Sequence, residues 1–96
     1  MIQHKEDTQL FRTGTIVITP GAAHLLEQHN KGPKEFLDRH VTGDWGRVEG
    51  EDLLSNKAGV KDKGMLMSVY PIKQDELWII TDHGHGATTL LLPKEY

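Results

Sequence analysis

Three apolar runs fill the last third of the chain, MLMSVYP, ELWIIT and TTLLLP, and the short polar stretches between them constrain the fold more than any other feature. In the first run Met65, Met67 and Val69 alternate with Leu66, Ser68 and Tyr70, the period of two that gives a strand two distinct faces. IKQD then reads as a hairpin loop. ELWIIT is apolar without interruption, which predicts a central strand covered on both faces. The next connection, TDHGHGATT, holds Gly84 and Gly86, residues that supply the positive φ of a tight turn. TTLLLP is closed by Pro93. Three short runs joined by tight connections predict a three-stranded antiparallel meander.

Upstream the period changes. Thr15 to Ile18 is a short β-rich run, and Thr19 can cap a helix that opens on Pro20, where the missing N–H costs nothing. That helix carries Leu25, Leu26 and His29 along one side and stops at Asn30 or Gly32. Pro33 opens a second helix with Phe36, Leu37, His40 and Val41 on one face. A third is expected from about Glu49 to Ala58, burying Leu53, Leu54 and Val60, with Gly59 and Gly64 releasing the chain. TGDWGR, with two glycines, interrupts the helices. The expected fold is therefore α+β: a short N-terminal strand, two to three helices, then the meander, with the helices packed on one face. Residues 1–12 are polar and without period, and read as a flexible arm before a single domain over residues 13–96.

Composition narrows the chemistry. The 96 residues suffice for one core, and with no cysteine any metal must be held by His, Asp or Glu. The N-terminus has no basic segment followed by an apolar run, so no signal peptide is expected, and no apolar run approaches the roughly 20 residues of a membrane span. The lack of cysteine fits a reducing cytoplasm. The formal charge of −3 argues against a generic nucleic-acid binder, because a phosphate backbone is held by clustered Lys and Arg. There is no Gly-rich phosphate loop, nucleophile elbow or HExxH, so no cofactor is implied.

The residues able to carry chemistry each have two readings. His83 and His85, two apart, can share a metal with Asp82 or Asp44, or can face water from a glycine-rich turn. His40 stands four residues before Asp44. It can be a general base oriented by that carboxylate, or a half-buried histidine at a helix end. Trp45 can stack on a ligand or plug one end of the core. Arg39 and Arg47 are the cations nearest these groups in sequence. Ser68, Tyr70, Thr81, Thr88 and Thr89 form polar rows if the strands pair in order, lining a cleft with His40 or His83 or merely stabilising the sheet.

RHVTGDWG (Arg39 to Gly46), Glu51 and Asp52 with Asn56, SVYP (Ser68 to Pro71), LWIIT (Leu77 to Thr81) and TTLLLPKEY (Thr88 to Tyr96) together resemble a family of short bacterial proteins found on plasmids and other mobile elements. The resemblance covers residues 15–96. It implies no defined activity. In similar proteins the turn after WIIT holds an acidic residue and an arginine, where this chain has Gly84 and His85.

Two functions follow as expectations. The first is a non-enzymatic interaction or regulatory module whose partner is a host or element-encoded protein, with nucleic acid disfavoured by charge and no membrane role. The second is a small RelE-like or microbial-ribonuclease-type protein, in which His40, Ser68, Thr81, His83 and His85 converge near the sheet and Arg39 or Arg47 steadies the phosphorane.

Overall fold

Thr19 ends one element and begins the next. It follows strand β1 (Thr15–Ile18) in extended conformation, and its hydroxyl accepts the Ala22 N–H at 3.1 Å, capping helix α1 (Pro20–Gln28). Helix α2 (Pro33–Val41) also starts on proline and is followed by α3 (Glu51–Asp62), then by strands β2 (Leu66–Ile72), β3 (Asp75–Thr81) and β4 (Ala87–Leu91) and a closing 3-10 turn, Pro93–Glu95. The computed structural model describes residues 9–96.

The expected meander is present: β2 pairs antiparallel with β3 from Leu66–Thr81 to Ile72–Asp75, and β3 pairs antiparallel with β4 from Trp78–Leu91 to Thr81–Thr88. It is not the whole sheet. β1 lies parallel to β4 on its other side, Thr15 beside Ala87 and Ile18 beside Leu90, giving the order β1-β4-β3-β2.

The helices pack on one face, as expected. Ala22, Leu25, Leu26 and Phe36 meet Tyr70, Ile72, Leu77, Ile79 and Leu90 in the main cluster. Phe11, Val41, Trp45 and Leu66 form a second, against which Leu53 and Val60 of α3 pack. The other face is only half covered. Trp78 there keeps partial exposure, its ring edge-on to Tyr96 at 5.7 Å, so β3 is less enclosed than its apolar run suggests.

Three expectations are corrected. Leu54 is 65% exposed, because α3 turns Leu53, Asn56 and Val60, spaced three and four apart, toward the body. Gly59 does not end α3. It sits inside the helix where a Cβ would lie 2.8 Å from Leu66 Cδ2 and 3.0 Å from the Met65 carbonyl, so it permits close approach to the next segment. The helix stops at Lys63, in left-handed conformation with φ 57°. Finally, residues 9–12 are not a loose arm: Leu10 N–H donates to the Val41 carbonyl at 2.8 Å and Phe11 is 8% exposed. The expectation for residues 1–8 lies outside the described residues.

Candidate functional site

His40 is the most enclosed of the expected site residues. α2 turns it inward beside Phe36 and Val41 and leaves it with 0% exposure. Its Nδ1 lies 2.6 Å from Ser68 Oγ on β2 and its Nε2 lies 2.9 Å from Thr81 Oγ1 on β3. Thr81 Oγ1 lies 2.8 Å from Thr88 Oγ1 on β4, and the Thr88 hydroxyl donates to the Thr13 carbonyl at 2.8 Å.

That last bond fixes the direction of the chain. A carbonyl only accepts, so Thr88 spends its single proton there and must accept from Thr81. Thr81 in turn must accept from His40, which places the imidazole proton on Nε2 and leaves Nδ1 to accept from Ser68. Proton donation therefore runs one way, Ser68 to His40 to Thr81 to Thr88 to the main chain before β1. Burial pushes the imidazole down to about 3, with the neighbouring His85 acting in the same direction, so the ring is neutral near pH 7. Of the hydroxyls expected in rows on the sheet, Ser68, Thr81 and Thr88 join His40 in a sealed interior, whereas Tyr70 donates to the Asp44 carbonyl and Thr89 lies on the opposite face beside Ile80. Ser68, His40, Thr81 and Thr88 are all 0% exposed.

The pair expected to orient His40 does something else. Asp44 binds Arg39 Nε at 2.7 Å and accepts the Gly46 N–H at 3.2 Å. Arg39 holds the Asp44 carboxyl below its ordinary range, and Asp44 raises Arg39 in return. The Arg39 guanidinium also covers the Tyr70 ring at 4.4 Å, and the Tyr70 hydroxyl donates to the Asp44 carbonyl at 2.6 Å. Burial pushes the Tyr70 phenol up to about 12. Trp45, 7% exposed, is a plug: its ring stacks on Phe11 at 6.1 Å and meets His40 edge-on at 5.4 Å. Arg47 reaches Glu76 at 3.3 Å on the surface, beside a depression of about 780 Å³ whose walls mix His24, Lys73, Asp75 and Lys94.

In the turn, His83 is exposed while His85 points inward. His85 Nε2 donates to the Gly64 carbonyl at 2.9 Å and its ring lies 5.4 Å from Phe11. The two imidazoles are thus committed to different surroundings. Among the described residues, no group of three His, Asp or Glu side chains is placed to hold a metal.

His40, Trp45 and His85 therefore do converge, on Phe11, and they fill space rather than line a cleft. Phe11 was missed because it stands in a stretch without period.

The two edges of the sheet differ. The outer edge of β2 is closed. The Asn56 amide donates to the Met67 carbonyl at 2.8 Å and accepts its N–H at 3.0 Å. Val69 N–H donates to the Trp45 carbonyl and its own carbonyl accepts from Arg47. Pro71, next in the alternation, has no N–H to satisfy. Among the described residues the outer edge of β1 is open. The Thr15 N–H donates to the Gly86 carbonyl just before β4 and the Thr19 N–H to the Leu90 carbonyl on β4, each at 3.0 Å, so alternation turns the N–H and C=O of Ile16 and Ile18 outward. Ile16, Val17 and Ile18 are 44%, 44% and 38% exposed. The charge, proline and bulge that usually protect an edge strand are absent from TIVI.

No protein-family model, curated protein or solved structure matches the chain. Among the described residues, no helix is long and apolar enough to cross a membrane.

Proposed function

We propose that this protein is a non-enzymatic interaction module whose working surface is the open edge of the sheet at β1. The observation that carries the reading is the contrast between the two edges: one is capped at the alternate residues Met67 and Val69 by Asn56, Trp45 and Arg47, and the other, among the described residues, presents unpaired backbone groups between exposed aliphatic side chains. Such an edge binds an extended segment by adding a strand, with main-chain hydrogen bonds supplying affinity and alternate side chains supplying selectivity. The enclosure of Ser68, His40 and Thr81 supports the same reading, since a general base must reach substrate to act. The resemblance of RHVTGDWG, LWIIT and TTLLLPKEY to strings of mobile-element proteins is what suggests a partner encoded by such an element or its host.

The test is capture by a tagged chain expressed beside an untagged copy in a bacterial host, using wild type and Val17→Lys. A stoichiometric partner retained by wild type and lost with the lysine is the expected result. Equal capture by both, or by neither, would overturn the reading.

A further inference from the structure

The edge reading leaves the occupant open, and the geometry of β1 points to a second copy of this chain; this inference rests on the preceding reading and narrows it. We infer that two chains pair antiparallel through β1 about a two-fold axis at Val17, joining the two sheets into one.

Hydrogen bonding selects this register. The outward groups belong to Ile16 and Ile18. With the axis at Val17, Ile16 faces Ile18 of the other copy, each exchanges both its N–H and its C=O with that partner, and Val17 faces itself in the closer, non-hydrogen-bonded pair. An axis at Ile16 would require Gly14 to pair, but Gly14 has φ 67° and is not extended. An axis at Ile18 would require Pro20, which has no N–H and already belongs to α1. The strand is self-complementary in one register, as an isologous interface requires.

Side chains agree with that choice. Ile16 and Ile18 lie on the sheet face that carries the helices, level with Thr88 and Leu90. Beside Ile18 runs an open groove of about 460 Å³ between β1 and α1, walled by Ala23 and Leu26 and rimmed by Glu27 and Lys31. Pairing places Ile16 of the second copy next to Ile18, at the mouth of this groove, where an aliphatic side chain leaves water for apolar walls. Charge permits a second copy. From Thr13 to Ala23 no side chain is ionisable, so two such edges meet without like charges.

The register makes a position-specific test possible in a chain without cysteine. Only residue 17 faces its own copy, and the Cα separation of a non-hydrogen-bonded pair, about 4.5 Å, falls within the span of a disulfide. Val17→Cys, Thr15→Cys and Ile18→Cys are oxidised with oxidised glutathione at matched concentration and resolved without reductant. Cross-linking of Val17→Cys at least tenfold faster than either other variant is expected. A Val17→Cys chain that stays monomeric, or equal rates at all three positions, would overturn the second-copy assignment. If that happens while a different protein is captured by wild type and lost with Val17→Lys, the occupant is wrong and the edge reading stands. If Val17→Lys captures the same partners as wild type, the edge reading itself falls.

Discussion

Ser68 Oγ lies 2.6 Å from His40 Nδ1, the spacing of a nucleophile and its base, with both residues at 0% exposure. The pair is the first link of a hydroxyl chain through Thr81 and Thr88, and its effect is to bind α2 to three strands and to the segment before β1. A fully satisfied buried network specifies one arrangement of the elements it joins, because any other leaves polar groups unpaired in a low dielectric.

Ser68→Ala and Thr81→Val each orphan a buried ring nitrogen of His40. Each is expected to cost about 1–3 kcal/mol in urea unfolding. Combined with each other they should fall short of the sum of the single losses, since the second removal acts on a chain already broken. Strict additivity would show that the bonds act independently.

Acid should destabilise the fold through His40. Its folded value, about 3, lies below its ordinary 6.5, so the unfolded chain takes up the proton first. Stability from this group is full above pH 6.5 and declines as pH falls toward 3, by at most roughly 1.4 kcal/mol per pH unit. His40→Gln should lower stability at pH 7 yet flatten the profile between pH 6.5 and 4. An unchanged slope would assign the acid sensitivity elsewhere.

Gly46 and Gly84 both have positive φ, at 71° and 89°, but only one is crowded. A Cβ on Gly46 would sit 2.0 Å from the Val69 carbonyl, whereas one on Gly84 meets nothing within 4 Å. Gly84→Ala is expected to cost about 1–2 kcal/mol from conformation alone. Gly46→Ala should cost clearly more and should expose Val69, visible as faster amide exchange along β2. Equal losses would mean that the loop yields.

Zinc or nickel titration should give no saturable binding tighter than about 1 mM. The reason is geometric: His85 is bonded to the Gly64 carbonyl and packed on Phe11 while His83 faces solvent. Micromolar binding lost in His83→Ala would show that the turn rearranges around a metal.

Much of this architecture was legible in local chemistry. The alternation of Leu66, Ser68 and Tyr70 against Met67 and Val69 placed β2, and Thr19 with Pro20 placed the start of α1, because both signals are written within a few residues. What was not legible depends on residues far apart. The parallel pairing of β1 with β4 joins Thr15 to Ala87, and nothing in TIVI names its neighbour. Asn56 looks like a polar helix residue until Met67 is beside it. RHVTGDWG stood out as a place to look for chemistry, and its conspicuous residues instead build a loop: Arg39 and Asp44 clamp Tyr70, Trp45 fills the core, and Gly46 passes against Val69. Short motifs under strong geometric demand look alike whether the demand is catalytic or structural. The exposed edge had a visible sign, an uncharged β-branched run, but its meaning required seeing that the opposite edge was capped.

Sedimentation equilibrium of wild type and Val17→Lys over a wide concentration range tests the central claim most directly. Wild type is expected to pass from the mass of one 10.8 kDa chain toward that of two as concentration rises, while the lysine variant remains folded and monomeric. A wild type that stays at one chain throughout, or a lysine variant that associates equally well, would contradict it.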